Sequence, residues 1–179
     1  MSKLVEIAQL GADVIREVAK EVEDIHSLEI QELLDDMLFT CSASKGMGIA
    51  APQLYESKRI IVISSHPNER YPYAPMMEPT LLINPKIISF SSETHIDWEG
   101  CLSLPGLRAL VPRYTEVEVS YLDRDGNIHK SIYKDFLARV FQHEYDHLEG
   151  KVFIDRVDST MDVVMEREFQ RIISGKKLS

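Results

Sequence analysis

The sequence has few cysteines and a shortage of basic residues, and each shortage excludes a class of protein. Its two cysteines, Cys41 and Cys101, cannot build a disulfide framework. Lysine and arginine number 20 against 29 acidic residues, and the net charge of −9 argues against a DNA-binding surface. No apolar run approaches the roughly 18 residues of a membrane helix. We therefore expect a soluble protein of a reducing compartment, with no direct DNA binding and no membrane contact.

The length and composition predict a single catalytic domain over residues 1–179. The chain is 44% hydrophobic and 27% charged, which is ordinary for a globular domain that buries its own core. The first residues resemble neither a secretory signal nor a transit segment, since Glu6 arrives early and Asp13 and Arg16 come soon after it. We expect a bacterial cytoplasm as the location.

Hydrophobic periodicity predicts both helices and strands, and hence an α+β domain with an antiparallel sheet. Apolar residues that recur every three or four positions predict helices over 28–43, 134–148 and 160–174, with Ser27 capping the first. Runs of β-branched or alternating residues predict strands over 59–64, 81–88, 114–122 and 128–133. Pro85 should bend the second strand, Asp125-Gly126 should turn the last pair into a hairpin, and four prolines in 66–79 predict a surface excursion.

The strongest chemical signal is the H-E-x-x-H motif at residues 143–147. Positions four apart lie on one helix face, so His143 and His147 can bind one cation, and Glu144 can reach a water molecule beside it. Phe136 and Val140 precede the motif at helical spacing, which indicates that this face points inward. Two histidines buried there would be costly without a metal ion.

A catalytic metal centre needs a third ligand, and the sequence offers Cys101. This cysteine lies between strand-like runs in WEGCLSLPG at 98–106, and a thiolate is a strong ligand for a borderline metal. Downstream of His147 only Glu149, Glu166 and Glu168 are available, and the last two fit the polar side of the final helix. Cys41 falls on the apolar stripe of the first helix, so we interpret it as a core residue.

A glycine-rich segment, GMGIAAPQ at 46–53, supplies further candidates. It formally matches the dinucleotide-binding fingerprint, but a predicted helix precedes it and Pro52 prevents a helix from starting after it, so we reject that match. It is either a helix-ending turn or a backbone that approaches a ligand closely. In the second case Gln53 would supply an amide donor beside the metal.

Together these three segments resemble the peptide deformylase family. The family pattern is G-x-G-hydrophobic-A-A-x-Q, then E-G-C-hydrophobic-S, then H-E-x-D-H, and the chain has GMGIAAPQ, EGCLS at 99–103 and HEYDH in that order. RALVPR at 108–113 and the closing helix extend the resemblance over nearly the whole chain. The fold implied has small mixed antiparallel sheets packed around a central H-E-x-x-H helix, with an N-terminal and a C-terminal helix. Residues 66–79 are longer than the resemblance leads us to expect and could alter a rim.

The resemblance also implies a reaction, the release of formate from the N-formylmethionyl end of new polypeptides. One divalent ion would be held by Cys101, His143 and His147, with ferrous iron implied by the family and zinc suited to the donor set. Glu144 would move the proton. The Leu102 N–H and the Gln53 amide would stabilise the oxyanion, and the backbone at Gly48 would contact the substrate.

Further roles come from position within the matched segments. Val140 and Phe136 share the helix face of His143 and are candidate walls for the methionine side chain, although Phe136 is equally compatible with ordinary core. Asp146, Glu99 and Arg113 are candidates for orienting the ligands. The family's C-terminal helix is associated with the ribosome, so the basic residues Arg171, Lys176 and Lys177 indicate a possible weak ribosome contact.

Two other functions remain open from the residues alone. An H-E-x-x-H endopeptidase would recruit a downstream ligand such as Glu166 and would not need Cys101. A non-catalytic binding module stabilised by a metal would keep the ion but would have no use for Glu144, and its presence therefore counts against that class.

Overall fold

Two antiparallel sheets and three α-helices make up the part of the chain that the computed structural model describes, residues 2–68 and 71–175. The helices are α1 (Leu28–Ala43), α2 (Asp135–Leu148) and α3 (Glu166–Ser174). The strands are β1 (Gly48–Ala50), β2 (Ile60–Ile63), β3 (Thr80–Phe90), β4 (Thr94–Cys101), β5 (Leu104–Tyr114), β6 (Glu116–Leu122), β7 (Ile128–Lys134) and β8 (Val163–Met165). The α+β prediction is confirmed.

The larger sheet has the order β1-β2-β3-β6-β7 and is covered by a helix on each face. Alternation along β2 divides its side chains: Ile60 and Val62 join the core beneath α1, whereas Ile61 and Ile63 join the core beneath α2. Because both faces are covered, all four residues of this strand are buried. The sheet thereby fixes the position of α2 from one side.

The smaller sheet, of order β4-β5-β8, lies against the opposite side of α2. Gln142 on the helix exchanges hydrogen bonds with the backbone of Tyr114 on β5, at 2.8 and 3.1 Å. The ring of His143 stacks on Phe153, which belongs to the core beneath the small sheet. The motif helix is therefore central, between the two sheets, as the resemblance implies.

Several predicted elements are confirmed closely. Ser27 caps α1, since its Oγ accepts a hydrogen bond from the Ile30 N–H at 3.4 Å. The β3 pairing with β6 shifts register between Ile83 and Lys86, next to Pro85, as a bend there requires. Strands β6 and β7 pair as the predicted hairpin, with Gly126 at positive φ in its turn.

The prediction of one helix over residues 160–174 is wrong in its first half. Residues Thr160–Asp162 form a short 3₁₀ turn and Val163–Met165 form β8, so α3 begins only at Glu166. The apolar Val164 and Met165 fit a helical spacing, but backbone pairing with Arg108 and Leu107 on β5 holds them extended. Lys176 and Lys177 lie outside the described residues. No helix in the described part of the chain is both long and apolar enough to cross a lipid bilayer.

Candidate metal centre and active site

The fold brings together the three predicted metal ligands. His143 and His147 lie one turn apart on α2, with ring centroids 5.4 Å apart. Cys101 is at the end of β4, and its Sγ lies 3.3 Å from Nε2 of His147. One ligand atom from each residue lies within 4.8 Å of the other two, and no other group of this kind occurs among residues 2–68 and 71–175.

The chemistry of this trio suits a divalent metal ion. Burial opposes ionisation of the Cys101 thiol, but the neighbouring His147 outweighs it and holds the pKa of Cys101 well below its ordinary value. Nδ1 of His147 is buried and has no hydrogen-bond partner in the described part of the protein. A thiolate with two imidazoles is a donor set that zinc and ferrous iron accept.

Glu144 lies beside the trio in a buried position. Its burial raises the pKa of the carboxyl group to about 7, and its Oε2 has no hydrogen-bond partner within the described residues. A carboxyl group with a pKa near neutrality is suited to accepting and returning a proton.

Gly48 is needed for this packing. A Cβ atom at Gly48 would lie 2.7 Å from both Cγ and Oε1 of Glu144, closer than non-bonded atoms can come. Glycine therefore allows the backbone of β1 to pass directly against the carboxylate. This close approach supports the second interpretation of the GMGIAAPQ segment.

Gln53 is held with its amide nitrogen towards the sulfur. It lies in a 3₁₀ turn after β1, and its Oε1 accepts a hydrogen bond from the Ala50 N–H at 2.8 Å. Its Nε2 is consequently 3.6 Å from the Sγ of Cys101 and 3.1 Å from the Oγ of Ser103. Leu102 lies in the turn between β4 and β5 and lines the same cavity. The predicted amide donor is therefore beside the trio.

A buried network of charges supports His143. Nδ1 of His143 is 2.8 Å from Oε2 of Glu99, which leaves Nε2 of the ring available to the trio. Arg113 donates two hydrogen bonds to Glu99, at 2.9 and 3.0 Å, and one to Asp146 at 2.6 Å. Burial would raise the pKa of Glu99, but the Arg113 guanidinium outweighs it and lowers that pKa strongly. Asp146, Glu99 and Arg113 thus form one unit behind the ligands.

Sequence reasoning missed a second buried arginine in this network. Arg139 donates through Nη1 to Oε1 of Glu99 and to the Val111 carbonyl, both at 2.8 Å, and through Nη2 to the His95 carbonyl at 2.6 Å. The signal was present, because Arg139 is four residues before His143 and so shares its inward face. Arg156 also pairs with Asp146, at 2.6 Å.

A cavity of about 310 Å³ opens beside the trio. Val140 and Phe136 line it, as predicted, together with Gly48 and Glu144. Arg108 lines it from β5, and its guanidinium crosses Gly100 so closely that a Cβ there would lie 1.6 Å from Nη1.

The alternative third ligand, Glu166, has a different role in the structure. Oε2 of Glu166 accepts a hydrogen bond from Nε of Arg108 at 2.6 Å, and Glu166 is not part of the ligand group. Cys41 is buried on α1, and burial raises its pKa to about 12, as suits a core thiol.

Known proteins with the same features were found by sequence and by structure. A family model described as polypeptide deformylase matches residues 4–162. A curated relative, peptide deformylase 2 of Nostoc sp., is 50% identical over 172 residues, which are 96% of each chain. A class I type b peptide deformylase from Acinetobacter baumannii, solved with Met-Ala-Ser, has a TM-score of 0.85 and 42% identity, covering 88% of this chain and 100% of that one. The peptide deformylase structure from Ehrlichia chaffeensis covers 99% of both chains, with a TM-score of 0.80 and 32% identity.

Proposed function

The chain belongs to the polypeptide deformylase family, and we propose that its Cys101, His143 and His147 hold the divalent metal ion on which the activity of this family depends. It is a hydrolase that removes the N-formyl group from newly synthesised polypeptides. The observation that carries the assignment of the ligands is the convergence of one sulfur and two imidazoles from distant segments within 4.8 Å.

When bound, the ion would supply Lewis acidity towards water and the formyl carbonyl. The family resemblance favours ferrous iron, whereas the softness of one thiolate with two imidazoles equally suits zinc. Metal analysis of protein purified without oxygen decides between them.

The residues of the chain itself divide the remaining work. Glu144 takes the proton of the attacking water at its carboxylate and delivers it to the departing amine, for which a pKa near 7 is well placed. The Gln53 amide and the Leu102 N–H donate hydrogen bonds to the oxygen on which negative charge develops. Loss of one such donor typically costs about 2.7–4 kcal/mol of transition-state stabilisation. The backbone at Gly48 contacts the backbone of the substrate.

Substrate recognition and ligand orientation come from the surrounding residues. Val140 and Phe136 receive the methionine side chain in the cavity beside the trio. Glu99 fixes the ring of His143, and Arg113 ties Glu99 to Asp146, so these three residues orient the ligands. Because both sheets and α2 contribute to one site, residues 1–179 act as a single catalytic domain.

The substrate also determines where the protein works. Nascent N-formylmethionyl chains emerge at the ribosome, so the protein acts in the cytoplasm. Helix α3 provides a weak ribosome contact, with Arg171 on its last turn. Neither DNA nor a membrane takes part.

Formate release tests the function directly. The protein loaded with ferrous iron is offered formyl-Met-Ala-Ser and acetyl-Met-Ala-Ser, and only the first should be turned over. Absence of formate at every substrate concentration would refute the proposal. Internal cleavage of the peptide would instead indicate an endopeptidase.

Replacement of the sulfur tests the ligand set. Cys101→Ala should lose both the metal and the activity, because it removes one of three donors. An endopeptidase that used Glu166 would retain its metal after this substitution.

A further inference from the structure

The connection from β2 to β3 forms a fixed strap, which we define as its described residues 64–68 and 71–79. Ser65 is fully buried, and its Oγ donates a hydrogen bond to the Pro75 carbonyl at 2.6 Å. The Met77 N–H returns a bond to the Ser65 carbonyl at 3.0 Å. Ala74 is also buried. These contacts close the base of the strap against the domain.

Two tyrosines of the strap pack on the same residue of α2 but face different spaces. The ring of Tyr71 lies 5.2 Å from the ring of Phe136, and the ring of Tyr73 lies 5.8 Å from it. Tyr71 lines the cavity beside the trio. Tyr73 instead lines a neighbouring cavity, and 61% of its surface is exposed.

The position of Tyr71 along the helix face gives it a role. Val140 and Phe136 precede His143 by three and seven residues, so the face runs about 10 Å from the histidine to Phe136. Tyr71 packs on Phe136 and therefore closes the end of the cavity away from the trio. An unbranched side chain that starts near the trio and extends along this face ends against Tyr71.

We propose that Tyr71 sets the length of the first side chain that the site accepts, and is thus a specificity-determining residue supplied by the strap. This inference rests on the proposed deformylase function. It assigns a role to the proline-rich stretch that the motifs leave unexplained, because the base contacts at Ser65 hold Tyr71 against the cavity. A shorter residue at position 71 would lengthen the cavity, and a wider range of side chains would fit.

The test measures kcat/KM for two formyl tripeptides, formyl-Met-Ala-Ser and its analogue with 2-aminooctanoic acid in place of methionine. The ratio of the longer to the shorter substrate is compared in the wild type, Tyr71→Ala, Tyr71→Leu and Tyr73→Ala. Tyr73→Ala is the matched control, because it removes a ring of the same strap that also packs on Phe136. Circular dichroism establishes that each variant is folded.

We expect the ratio to rise about tenfold in Tyr71→Ala and by a smaller factor in Tyr71→Leu, since a methylene in an apolar pocket is worth at least that much discrimination. Tyr73→Ala should stay within about twofold of the wild type. The inference is overturned if no folded variant at position 71 changes the ratio, or if Tyr73→Ala changes it equally. Failure of the wild type to release formate from formyl-Met-Ala-Ser would instead refute the deformylase function itself.

Discussion

At the scale of single residues, Glu144 carries a carboxylate that metal binding does not require. Glu144→Gln keeps the shape of the side chain but removes its ability to accept a proton. We expect the metal content to stay unchanged while kcat falls by about 10²–10⁴, the usual contribution of general acid–base catalysis. Metal analysis and formate release on the same preparation check this. Loss of the metal together with activity would contradict the proposed role of Glu144.

Arg139 should matter for stability as well as for the site. Arg139→Met removes hydrogen bonds to Glu99 and to two backbone carbonyls, all in a buried setting. Breaking a buried ion pair costs about 3–5 kcal/mol, and urea denaturation should show a loss of that order. Arg124→Met is the matched control: this arginine pairs with Asp35 at the surface, and its loss should cost about 1 kcal/mol or less. Equal losses in both variants would argue against the network around Glu99.

The site residues differ in how far local sequence could reveal them. His143 and His147 were predictable because helix geometry alone puts them on one face. Cys101 needed the inference that a histidine pair lacks a ligand. Arg139 was missed because a charged residue within an apolar helical pattern is usually exposed, and only the partners on β4 and β5 make its burial favourable.

At the scale of elements, α2 is the piece on which both sheets depend. Leu148 at its end is fully buried in the core of the larger sheet, and its carbonyl accepts a hydrogen bond from the Ala19 N–H at 2.9 Å. Leu148→Ala should lower the free energy of unfolding by about 2–5 kcal/mol because it leaves a cavity. Ile173→Ala, at a half-exposed position of α3, should change it by less than about 0.5 kcal/mol. Comparable denaturation midpoints for the two variants would contradict this view of α2.

Elements with a strong local period were predicted well, and those held by distant pairing were not. Helix α1 and the hairpin of β6 and β7 are evident from their own periodicity. Strand β5 contains Pro105, Gly106 and Pro112, which locally favour turns, so only its pairing with β4 and β8 makes it a strand. Strand β8 escaped prediction for the same reason, because its partner lies more than fifty residues earlier.

At the scale of the whole molecule, an ion pair joins the N-terminal segment to the segment after α2. Asp155 accepts hydrogen bonds from Arg16 and from the Val152 N–H. Partial burial would raise the pKa of Asp155, but these bonds outweigh it and hold the pKa below its ordinary value of 3.8. A lowered pKa stabilises the fold above the ordinary value, and this contribution is lost as pH falls through the folded-state pKa.

The corresponding test measures stability against pH in Asp155→Asn. This variant should be less stable than the wild type at neutral pH, and the difference should shrink below pH 3.8. Asp158→Asn, at a nearby exposed position, should show no such convergence. Melting temperatures across this pH range measure both, and a difference that stays constant in acid would contradict the linkage.

The turn at Asp125-Gly126 has a practical consequence, because it divides the chain between the two sources of the metal ligands. A break there would leave the sulfur on one fragment and both imidazoles on the other, and neither piece alone could supply the full donor set. The seven paired residues of β6 and β7 would remain to zip the pieces together. Formate release by the mixture would thus act as a split reporter of reassembly.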